Sequence, residues 1–102
     1  MSQPFPSTQS NFTVPSTLVP VSGVSGVLLP ADTSRVQFSI QTPVACPGVV
    51  YVKFGLGASL VDYKFFLDPG DYYESEKGEY CGDVTAILSV AGPTSINVTD
   101  QK

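Results

Sequence analysis

The sequence predicts an all-β fold, a small antiparallel β-sandwich or barrel preceded by an extended N-terminal arm. Three observations carry that expectation. From Leu18 onward apolar residues recur with period two, the spacing of strands buried on one face. Turn dipeptides such as Pro47-Gly48, Pro69-Gly70, Lys77-Gly78 and Gly92-Pro93 break this alternation at intervals of roughly eight to twelve residues. No stretch shows the spacing of an amphipathic helix.

The arm comes first. Residues 3–17, QPFPSTQSNFTVPST, carry no charge and no helix or strand period. No charged side chain precedes Asp32, and Pro4, Pro6, Pro15, Pro20 and Pro30 all fall in that uncharged part. Proline removes a backbone donor and blocks helix, so residues 1–17 read as an extended arm and 18–102 as the domain. A domain of this size has little spare stability, and a partner that buries more surface would help it. Within the domain, two short apolar runs flank residues 22–26. Val36, Phe38 and Ile40 then share one face, as do Val50, Val52 and Phe54. Tyr63, Phe65 and Leu67 form the next alternation, followed by Val84, Ala86, Leu88 and Val90, and finally Ile96 and Val98.

Composition narrows the function. The 102 residues form one domain with an arm, and 42% apolar with 14% charged content belongs to folded chains. A net charge of −4 offers no basic field, so no nucleic-acid partner is expected. No apolar run approaches the ~20 residues of a membrane span, and no secretory leader is visible at the N-terminus. With no histidine in the chain, Ser-His-Asp, Cys-His and His-ligated zinc chemistry are excluded. We therefore expect a protein that is not an enzyme and takes no cofactor or metal.

The remaining motifs read as structural. FGLGAS (54–59) lacks the lysine and following helix of a phosphate loop, and is expected to be a turn whose glycines supply positive φ. DPGDYYESEKGEYCGD (68–83) sets six carboxylates against Lys77, a solvated hairpin whose like charges discourage edge pairing. A hard cation is the alternative there, although the spacing fits no calcium loop. Cys46 and Cys81 fall at opposite ends of the expected sheet, which favours two free thiols over one bridge. Tyr72 and Tyr73 are adjacent, so one of them must face outward if they lie on a strand.

The order LLPADTSRVQFSIQ, VYVKFG, FLDPGDYY, EYCGDVTAILSVAGPTSINVTD resembles small β-structured virion proteins of tailed bacteriophages. The carrying residues are 28–31, Arg35, 50–55, 67–70 and 80–87, and the likeness spans the chain from Leu28 to its end. The loop 42–48 departs from that pattern, with Pro43, Cys46 and Pro47 where Asn-type turn residues are usual. What the resemblance implies is a structural role in the virion. It would be a capsid decoration or cement protein, or a neck, tail or head-fibre accessory, bound to the major capsid protein or other virion subunits.

A homo-oligomer is expected on symmetry grounds, trimers suiting capsid three-fold sites. An extended arm can add a strand to a neighbour or drop side chains into pockets. Phe5, Phe12, Val14 and Leu18 are its candidate anchors, and the arm should order only on a partner. Tyr72 and Tyr73 are further partner-binding candidates. The competing expectation is a carbohydrate or cell-surface binding module using Tyr63, Tyr72 and Tyr73.

Overall fold

The computed structural model describes residues 16–102. They form eight strands: β1 (Ser16–Val21), β2 (Gly26–Leu29), β3 (Gln37–Gln41), β4 (Val50–Phe54), β5 (Phe65–Leu67), β6 (Tyr72–Glu74), β7 (Val84–Leu88) and β8 (Thr94–Gln101). There is no helix among them, and two four-stranded antiparallel sheets face each other. Sheet I has the order β1-β8-β3-β6 and sheet II the order β2-β7-β4-β5.

The pairing is nested. β1 pairs with β8, β2 with β7, β3 with β6 and β4 with β5, as in one long hairpin folded across two layers. The pairs β3–β8 and β4–β7 then stitch the folded hairpin into sheets. Every connection crosses between the sheets except β4 to β5, which stays within sheet II. Pairing also reaches into the segment read as arm, since Ser16 and Thr17 stand opposite Thr99 and Val98.

Alternation explains most of the core. Val50 and Val52 on β4, Val84, Ala86 and Leu88 on β7, and Ile96 and Val98 on β8 all point between the sheets and are buried. Phe38 and Ile40 on β3 join them. The Val, Leu, Ile and Phe side chains among them each contribute roughly 1.5–3 kcal/mol relative to exposure.

Three parts of the expected alternation end early. Val36 and Val90 lie outside β3 and β7 and are exposed. Tyr63 precedes β5 and does not share the inward face of Phe65 and Leu67. It turns outward and packs edge-on against Tyr51 at 4.7 Å between ring centroids.

The turns carry their own chemistry. In FGLGAS, Gly55 and Gly57 have φ of 132° and 79°, the left-handed region expected of them. The loop they open runs over the outer face of sheet II. There Thr85, an outward residue of β7, is nevertheless buried. Its hydroxyl donates to the Gly55 carbonyl at 2.6 Å and accepts from the Ala58 amide at 3.2 Å. Cys46 is buried and Cys81 half-buried, and both are free thiols.

Candidate functional site

Phe5, Phe12 and Val14 lie outside the described residues. Leu18, the remaining arm anchor, sits on edge strand β1 opposite Asn97 and is 68% exposed. Tyr72 and Tyr73 separate as adjacent strand residues must. Tyr72 faces outward from β6, and its hydroxyl stands 3.5 Å from Glu74 Oε1. Tyr73 faces the core, and its hydroxyl donates to Glu79 Oε1 at 2.9 Å. Burial first, and then the Glu79 carboxylate, push the Tyr73 phenol up to about 12. Leu18 and Tyr72 belong to opposite edges of sheet I, so they do not form one surface.

Each edge of the sandwich forms a seam between the two sheets. On the β5/β6 side the seam is shut by aromatic rings. Phe65 stacks on Tyr73 with centroids 4.3 Å apart, and Phe54 stacks on Tyr80 at 4.7 Å. Phe38 closes the group from within, edge-on to Phe54 at 5.7 Å.

On the β1/β2 side the described residues leave the seam open. A cavity of about 330 Å³ lies there, lined by Thr17, Val19, Leu28, Leu29, Pro30, Val98, Asp100 and Lys102. Its walls depend on an irregularity in β2. The register against β7 shifts between Val27 and Leu29, so the consecutive residues Leu28 and Leu29 are both buried instead of alternating.

The polar end of this cavity is held by Arg35, whose side chain is fully buried. Its Nε donates to Asp100 Oδ1 at 3.1 Å, Nη1 to the Gly82 carbonyl at 2.9 Å and Nη2 to the Pro30 carbonyl at 2.5 Å. One guanidinium thus ties the end of β2, the entry to β7 and β8 together, with its charge compensated by Asp100. At the rim, Lys102 Nζ pairs with Asp32 Oδ2 at 2.8 Å. The hydrogen bond from Lys102, then those from Ser34, hold the Asp32 carboxyl well below the usual carboxylate range. The same contact raises the Lys102 ammonium above its ordinary value. Both rim charges are therefore already paired.

Two surfaces complete the survey. Outward residues Gln37, Ser39, Tyr72, Glu74, Thr99 and Gln101 line a shallow hollow of about 250 Å³ on sheet I. The Ser39 and Thr99 hydroxyls bond to each other at its floor. On sheet II, Tyr51, Tyr63 and Phe66 cluster outward, Tyr51 and Phe66 being cross-strand partners with centroids 6.0 Å apart. Neither grouping could be read from sequence spacing, because each collects residues from distant strands.

The acidic 68–83 stretch does not converge. Glu79 is turned to the Tyr73 hydroxyl and the Glu76 amide, Asp83 accepts from the Ala31 amide, and Asp71 caps the Asp68 amide. Among the described residues no group of three His, Cys, Asp or Glu side chains could hold a metal ion. None of their helices is long and apolar enough to cross a membrane.

The strand order defines the class. Eight antiparallel strands in two four-stranded sheets, nested from the chain ends inward, are a jelly roll, an architecture shared by viral capsid domains, lectins and cupins. No particular family stands behind that class: no family model, no curated protein and no solved structure matches the chain.

Proposed function

We propose that the protein is a non-enzymatic structural subunit of a tailed-phage virion, a capsid decoration or cement protein that grips neighbouring subunits through its N-terminal arm. The observation that carries this reading is the junction at Ser16. There an uncharged, proline-spaced leader precedes an edge strand beside an apolar seam that residues 16–102 leave unfilled. The jelly-roll winding supports it as an analogy of architecture, since viral capsid domains are among its users. On this reading the partners are the major capsid protein or other virion subunits, and the protein resides in the virion.

Removing residues 1–15 tests the proposal. The shortened protein should keep its β-type circular dichroism and lose co-sedimentation with the virions that retain the full chain. Full-length protein absent from purified virions would overturn the reading.

A second reading rests on the Tyr51–Tyr63–Phe66 cluster. Exposed aromatic rings suit sugar faces, which favours a carbohydrate or cell-surface binding module. Saturable binding on a glycan array, lost in Tyr63→Ala and Phe66→Ala, is its expected result. A blank array would remove it.

A further inference from the structure

Building on the leader as a grip, we propose that its acceptor is the open seam of a second copy of this chain. Phe12 and Val14 of one molecule fill the cavity between β1 and β2 of its neighbour.

Four observations converge. The first is chemical complementarity. The cavity is walled by Val19, Leu28, Leu29 and Val98, and its rim charges are neutralised by the Arg35–Asp100 and Lys102–Asp32 pairs. The leader brings apolar side chains and no charge, so neither side would strand an ion on contact. The cavity's ~330 Å³ is at the small end of ligand pockets, a size for one or two side chains.

The second observation removes the rival mode, addition of the leader as an extra strand. β1 carries Pro20, β2 is irregular, and β5 and β6 have three residues each. Proline, irregular register and short length are the usual protections of a sheet edge. The seam is the more receptive feature.

The third observation concerns where the leader leaves. Ser16 is held opposite Thr99 and Thr17 opposite Val98, so the chain is extended as it passes its own cavity. For Phe12 or Val14 to enter the cavity lined by their own Thr17 and Val19, the chain would have to reverse direction within the few residues before Ser16. A neighbour's cavity carries no such restriction.

The fourth is reach. Fifteen extended residues span up to about 50 Å, enough to cross between adjacent molecules. Such a contact joins two different surfaces. It closes as a reciprocal pair or a small ring.

The test uses the full chain in sedimentation velocity. The unaltered protein should self-associate reversibly below about 100 μM. Phe12→Asp, in the leader, and Thr17→Glu, at the exposed rim of the cavity, should each weaken association at least about tenfold. Mixing the two variants is the decisive step. Phe12→Asp keeps an intact seam and Thr17→Glu an intact leader, so the mixture should form a one-junction heterodimer that neither forms alone.

A monomeric unaltered chain, or self-association that both substitutions leave unchanged, overturns the inference. So does a mixture no more associated than its components. Virion co-sedimentation of the same proteins separates the two readings. A monomeric chain that still enters virions sinks this inference and leaves the virion role standing, whereas an oligomer absent from virions does the reverse.

Discussion

The two seams of the sandwich are built from the same kind of strand edge, and the described residues fill only one of them. Between β5 and β6 they supply their own filling, the Phe65–Tyr73 and Phe54–Tyr80 stacks. Between β1 and β2 the described residues supply small and branched walls and a polar clamp, with a cavity between them. The contrast teaches where to look for a partner. Residues 16–102 seal one edge with four rings and leave the opposite edge open beside an uncharged leader, which is where the proposed assembly would act.

The comparison can be broken or sharpened by mutation. The largest effect should come from Arg35→Met, which leaves Asp100 without its partner and releases the Pro30 and Gly82 carbonyls. Breaking a buried pair from one side costs about 3–5 kcal/mol, read as a fall in urea midpoint. Should Arg35→Met leave that midpoint unchanged, the clamp is not what holds the open seam together. Tyr73→Ala unzips the sealed seam and should cost about 2–4 kcal/mol, less than a fully buried aromatic because the ring is half-buried. A loss below that of exposed Tyr72→Ala would mean the stack seals nothing.

The sealed seam should also be sensitive to alkali. The Tyr73 phenol is raised to about 12 in the folded state, so the unfolded chain loses that proton first. Its contribution is whole below about pH 10, the ordinary tyrosine value, and is lost as the pH climbs towards 12. Tyr73→Phe should flatten the stability profile over that interval in parallel urea titrations. An unchanged slope would show that Tyr73 titrates normally.

Filling the open seam should have the opposite sign and a smaller size. Val19→Leu adds one methylene at the cavity wall and should stabilise the domain by about 0.8 kcal/mol. Destabilisation would mean the space is not available. The smallest effect belongs to the exposed rim. Asp32 is held below its ordinary pKa, so its contribution is present above about pH 4 and fades as the pH falls. Asp32→Asn should lower the melting temperature slightly above about pH 4 and leave it unchanged at lower pH, which flattens the acid side of the profile.

Much of this comparison was written in the alternation. β3, β4, β7 and β8 lie where inward residues such as Phe38, Val52, Ala86 and Val98 recur at period two. The outward turn of Tyr72 follows from its neighbour's inward one. The seams were not legible, for two physical reasons. Leu28 and Leu29 break the period because a register shift turns both inward, and sequence parity has no signal for that. Tyr63 looks like a strand residue, yet it leaves the ladder to meet Tyr51 across the sheet's outer face. Stacks such as Phe65 on Tyr73 depend on the nested pairing, which local spacing does not encode.

That nesting has a consequence in time. Only β4–β5 joins neighbouring strands within one sheet, while β1 waits for β8 at the far end of the chain. Local pairs close before distant ones, because a long loop costs more entropy to close. The walls of the open seam come from residues 17–30 and from Val98, Asp100 and Lys102. On a ribosome that groove cannot exist until β8 has emerged and docked. A partner that gripped it, as proposed above, would select domains that have closed over those still being made.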